Sequence, residues 1–147
     1  MTTQVDFYQL SRDPVERVVA LLAAKTLQAG ERLLVVAEDA LLRARLSEAL
    51  WAHEGSFLAH SEAGGVDDAR QPILLAADCA PANGASFVLL ADGVWREEAL
   101  GFARAFLVFG SDTLEGARAT WRALDGREGA ERRYWRQDEG GKWVQAA

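Results

Sequence analysis

In the segment Gly30-Glu31-Arg32-Leu33-Leu34-Val35-Val36-Ala37-Glu38-Asp39, a short apolar run stands between two helical patterns, and that order sets the fold class. Arg32 to Val36 reads as a short apolar run of the kind buried in a parallel sheet. Upstream, Asp13-Pro14-Val15-Glu16 reads as a helix start, with Asp as cap, Pro at the first helical position and Glu three residues after the cap. Val15, Val18, Val19 and Leu22 then share one helical face, and Gly30 is placed to end the helix. Downstream, a second helix begins near Asp39, buries Leu42, Leu46, Ala49 and Leu50, and runs to about Trp51. Ahead of both, Val5 to Leu10 alternates apolar and polar residues and suits an opening strand. Strand–helix–strand–helix over the first fifty residues predicts a βαβ unit and an α/β fold.

The remainder continues the pattern. Ser56–His60 reads as the next short strand, and the polar, glycine-containing Glu62–Gln71 as an exposed loop. Ile73–Ala77 and Phe87–Ala91 are two further buried strands, separated by a turn region at Pro81, Asn83 and Gly84. Trp95–Ala103 is expected to form a short helix and Ala105–Phe109 a strand. Asp112, with Glu115 three residues later, is expected to cap the last helix, which Gly126 follows. Tyr134–Arg136 and Lys142–Val144, broken by Asp138-Glu139-Gly140-Gly141, suggest an extended pair or hairpin. No repeat or linker interrupts the chain, so residues 1–147 read as one domain.

The net charge of -6 is unevenly spread. Residues 1–117 carry nine Lys/Arg against seventeen Asp/Glu, whereas residues 118–147 carry seven against five. An acidic body argues against sequence-independent nucleic-acid binding, which needs a broad basic surface. The basic C-terminal end is either a solvated charged face or a seat for a small anionic partner. No apolar run approaches the roughly 18–20 residues of a membrane span, and no signal peptide is read at the N-terminus, so a cytoplasmic location is expected. Cys79 is the single cysteine, which excludes an internal disulfide and a multi-cysteine zinc site.

No catalytic constellation emerges. His53, His60 and Cys79 match no compact metal pattern, and Ser56, His60 and Asp67 lack the Gly-x-Ser-x-Gly elbow of a hydrolase. The early strand-to-helix turns read Ser-Arg-Asp-Pro and Ala-Glu-Asp, with acid where a phosphate would sit and none of the glycines of a nucleotide loop. No cofactor or metal is expected.

The strongest candidate site is Arg118-Ala119-Thr120-Trp121-Arg122. At about 100° per residue from Leu114, Ala117, Trp121 and Leu124 form a buried stripe, with Arg118 roughly 40° and Arg122 roughly 80° to its other side. Either Trp121 is ordinary core beside two solvated arginines, or it is the apolar wall of a pocket. In that pocket Arg118 would grip a carboxylate through two parallel hydrogen bonds. Trp51 and Phe57 flank a polar break and are either core caps or an aromatic interface patch.

Taken in order, several motifs carry a resemblance. They are Phe7-Tyr8-x-Leu10, Gly30-Glu-Arg32-Leu-Leu-Val35 with Glu38-Asp39, Leu50-Trp51 with Ser56-Phe57-Leu-x-His60, Arg118-x-x-Trp121-Arg122, and the closing Tyr134-Trp-Arg-Gln-Asp-Glu-Gly-Gly-Lys-Trp143. Together they resemble the chi subunit of bacterial DNA polymerase III over nearly the whole length. The resemblance implies a three-layer, Rossmann-like, mostly parallel sheet with helices on both faces, without a functional nucleotide loop and without catalysis. It implies two partners, namely the acidic C-terminal tail of single-stranded DNA-binding protein, ending in Pro-Phe, and the psi subunit or another part of the clamp loader. By position, Arg118 would meet the tail carboxylates, Trp121 and Val108 would form the apolar pocket, and Arg122 would add charge at its edge. Trp51 and Phe57 match the partner-contact region, Phe57 that for psi. Trp121 stands where some members have tyrosine and Arg122 where some have lysine. Two rivals remain at this level: a small nucleotide- or phosphate-metabolising enzyme, and a single-stranded DNA binder that stacks bases on Trp95, Trp135 and Trp143.

Overall fold

A computed structural model describes residues 2–147. In chain order the elements are β1 (Thr3–Gln9), α1 (Val15–Gln28), β2 (Leu33–Val36), α2 (Ala40–Ala52), β3 (His60–Glu62), β4 (Ile73–Ala76), β5 (Phe87–Leu90), β6 (Arg104–Phe109), α3 (Leu114–Ala123), β7 (Ala130–Gln137) and β8 (Trp143–Gln145). Single 3-10 turns occupy Asp68–Arg70, Glu97–Gly101 and Ser111–Thr113. The strands form one sheet in the order β3-β4-β2-β5-β6-β1-β7-β8. All neighbours are parallel except the closing β7–β8 hairpin.

Parallel neighbours require crossovers, and right-handed crossovers fix which face each one covers. The two that carry the chain toward the β3 edge, α1 and α2, pack on one face. Of those that carry it toward β8, the Glu97–Gly101 turn and α3 pack on the other. The outcome is the expected three-layer α/β arrangement. Each central strand divides its apolar residues between two cores: Leu33 and Val35 lie under α1 and α2, Leu34 and Val36 on the α3 side.

The end of α1 follows the sequence signal closely. Gly30 adopts φ 78°. Its N–H bonds to the Leu27 carbonyl while that of Glu31 bonds to Thr26, the paired closure of a Schellman motif. Asp39 caps α2 by accepting from the Leu41 N–H at 3.0 Å. Two other expected caps do not form. Pro14 itself occupies the N-cap of α1, and the Asp13 carboxylate instead accepts from the Gln137 side-chain amide at 2.9 Å, tying the hairpin to the helix start. Asp112 lies within a 3-10 turn, and Thr113 immediately precedes α3. The third strand is also displaced: Ser56–Ala59 is irregular, and β3 starts at His60, where pairing with Ile73 of β4 begins.

Gly93 follows β5 and lies against Thr113, which precedes α3. It sits at φ 72°, and a Cβ there would be driven into the Thr113 side chain, 2.7 Å from its Cβ. Gly93→Ala is expected to destabilise by roughly 2–4 kcal/mol, from left-handed strain plus overpacking, as read by urea denaturation.

Candidate protein-docking site

Helix α3 delivers the candidate residues. Ala117 and Leu124 are each 1% exposed and anchor the helix on β1 and β6. Trp121, one turn on from Ala117, lands over the same core. Its ring meets Phe7 edge-on at 5.2 Å and Tyr134 at 5.5 Å and 90°. It is half-buried, so part of the indole remains at the surface.

The other side of Trp121 is met by a residue that sequence reading passed over. Arg132 of β7 holds its guanidinium carbon 3.9 Å from the indole centroid. It donates to the Trp121 carbonyl at 2.7 Å and to the Asp125 carboxylate at 2.8 Å. This cation–π clamp fixes the rotamer of the wall. The signal available in the chain was the pair Arg132-Arg133, but only the parallel pairing of β7 with β1 brings it beside α3.

Arg118 and Arg122 are both exposed, and among the described residues no carboxylate pairs with either. Burial pushes the Tyr134 phenol up, and the Arg118 charge pulls it partly back. Tyr134 donates to the Gln9 side-chain carbonyl at 2.6 Å. The result is an aromatic wall of Trp121 and Tyr134 with two unneutralised arginines beside it. Arg122 also complements the carbonyl end of α3.

Val108 does not belong to this group. On β6 it faces α1 and α2 with Phe106, whereas Leu107 and Phe109 face α3. The apolar neighbour on the Trp121 side is Phe109, 5.8 Å from Tyr134.

A second surface lies at the far edge of the sheet. Trp51 and Phe57 are 55% and 76% exposed and 5.6 Å apart, so they are not core caps. Trp51 rests on His60 at 4.2 Å. His60 is buried, with Nδ1 against the Leu58 carbonyl at 2.8 Å and Nε2 against the Ser47 hydroxyl at 2.7 Å. A carbonyl only accepts, so Nδ1 carries a proton; the ring serves as a support for Trp51. Six strand spacings separate β3 from β7, placing the two surfaces roughly 30 Å apart.

The remaining candidates disperse. Ser56 is not on His60, and burial pushes the Cys79 thiol up, away from thiolate chemistry. Among the described residues no three His, Cys, Asp or Glu side chains gather for a metal. Where α/β folds commonly hold nucleotides, at the carboxyl ends of β1 and β6, there is a cleft of about 540 Å³. Asp13, Asp39, Asp92 and Asp112 line it against a single cation, Arg45, a field that repels phosphate. Trp135 and Trp143 are half-buried against Tyr8, at 5.9 and 5.1 Å, rather than displayed for base stacking.

Residues 1–131 match the model of the family described as DNA polymerase III chi subunit, HolC. The chain belongs to that family. No curated protein matches it. Chi-family membership makes the chain a replication subunit associated with the DNA polymerase III complex. The matched span includes α3 and the Trp51–Phe57 surface, while most of the β7–β8 hairpin with Tyr134 lies beyond it. No described helix is long and apolar enough to cross a membrane.

Proposed function

We propose that this chi-family chain is a non-catalytic adaptor whose α3 surface binds the acidic C-terminal tail of single-stranded DNA-binding protein. Its Trp51–Phe57 surface would contact psi or another clamp-loader subunit. One observation carries the first part: in a chain of net charge -6, two arginines without a carboxylate partner among the described residues stand side by side next to a half-buried tryptophan on α3. Charge-assisted hydrogen bonds from Arg118 and Arg122 suit the tail acids and terminal carboxylate, and the Trp121–Tyr134 wall suits its last phenylalanine. None of three clefts, of about 540, 690 and 270 Å³, is lined by Trp121 or either arginine. Affinity should therefore be modest, and it should fall with salt because the site is exposed to screening over a Debye length of roughly 8–10 Å.

Calorimetric titration with the last ten residues of the cognate tail, beside a peptide lacking the terminal phenylalanine, tests this directly. Saturable heat that requires the phenylalanine supports the reading; no heat at high concentration refutes it. For the second surface, the double variant Trp51→Ala/Phe57→Ala should abolish capture of the polymerase-complex partner and leave tail binding intact. The roughly 30 Å between the surfaces leaves both free to be occupied at once. Because the two side chains are exposed, the melting temperature should hardly move.

A further inference from the structure

On the sheet face opposite α3, the second half of α1 and the closing hairpin leave a cleft of about 270 Å³ between them. Its floor is the sheet, at Tyr8 and Phe106, and Trp135 and Trp143 form the hairpin side. The volume admits one large side chain. Lys25 of α1 lies at its margin, exposed and without a carboxylate partner among the described residues. Arg104 lines it as well, its charge answered by buried Asp6 at 2.7 Å and its guanidinium carbon 4.8 Å from the Phe106 centroid.

Tyr8 adds a feature that the core does not need. The residue is 6% exposed, yet its hydroxyl makes no hydrogen bond among the described residues. Burial, aided by Asp6, pushes the phenol up to about 12, so it stays protonated and available as a donor at neutral pH. A fully enclosed orphan hydroxyl would be costly, and among the described residues no buried side-chain polar atom lacks a partner, so the group reaches accessible space. The cleft is the space that Tyr8 lines.

An aromatic recess with a free hydroxyl donor and an unpaired ammonium matches an aromatic group that carries an anion beside it. Arg133, exposed on the same sheet face as Trp135 by strand alternation, extends the positive charge beyond the recess. Cations spread outside a recess of one side chain's size favour a chain laid across the surface over a free small molecule. We propose that this cleft seats one aromatic side chain from an acidic segment of a partner protein, with Lys25 and the Tyr8 hydroxyl receiving a neighbouring carboxylate. It is distinct from the α3 surface, since the sheet separates them, and it needs no terminal carboxylate.

The test is a titration of the full-length ¹⁵N-labelled chain with the blocked peptide acetyl-Asp-Glu-Phe-Asp-Glu-amide, following the indole N–H signals. Trp135 and Trp143 should shift saturably, the Phe→Ala peptide should not shift them, and Lys25→Glu, at an exposed position, should weaken binding by roughly five- to tenfold. Absence of shifts at millimolar peptide would overturn the proposal, as would equal shifts with the alanine peptide or movement confined to Trp121. Saturation by 3-phenylpropionate without any response to the peptide would also overturn it, in favour of a small-molecule site.

Discussion

Arg118→Glu is expected to weaken binding of the single-stranded DNA-binding protein tail by on the order of 100-fold at low salt, a figure that follows from losing charge-assisted hydrogen bonds and adding repulsion. Arg118 is exposed and makes no ion pair among the described residues, so nothing in the fold depends on it. The melting temperature should stay within about 1 °C of the parent, since surface substitutions away from packed features rarely matter. Calorimetry beside thermal denaturation checks both halves. An unchanged tail affinity would remove α3 as the docking site, and a collapsed melting temperature would show that Arg118 is structural. Trp121→Ala is the less clean probe, because Trp121 packs on Phe7 and Tyr134 and its loss leaves a cavity.

Arg104→Met is expected to destabilise the fold by about 3–5 kcal/mol. Asp6 is fully buried in the middle of β1, held by the Arg104 guanidinium at 2.7 Å and by weaker contacts from the Gln4 amide and the Trp135 indole N–H. Removing the arginine leaves that carboxylate buried without its counter-charge. The double variant Asp6→Leu/Arg104→Met should recover most of the loss, because an apolar pair also escapes the desolvation cost. Urea denaturation of the two variants decides the matter. A single variant as stable as the parent would mean that water or another cation reaches Asp6.

The candidate site is partly legible in the amino-acid sequence. Helical periodicity alone puts Trp121 in the α3 stripe with Arg118 and Arg122 beside it, because a 3.6-residue repeat reports side-chain direction without knowledge of neighbours. Val108 is misplaced for the opposite reason. Residues 105–109, Ala-Phe-Leu-Val-Phe, are apolar on both faces, so no polar alternation tells which side each residue takes. Arg132 escapes a reading of the chain because it reaches Trp121 only through the pairing of β7 with β1, a contact across more than a hundred residues of chain.

The chain by itself determined the α/β class, the order of elements, the Gly30 closure of α1, the Asp39 cap and the closing hairpin. Each of these rests on local chemistry: side-chain period, a residue that tolerates positive φ, a carboxylate near free N–H groups. Tertiary structure alone decided that β1 lies between β6 and β7 and that Asp13 serves Gln137 rather than α1. It also decided that Trp51 and Phe57 stand in solvent and that one sheet separates the α3 surface from the aromatic cleft. Those outcomes depend on which distant segments meet, and a hydrogen bond or a buried face between remote residues has no signature in the sequence around either one.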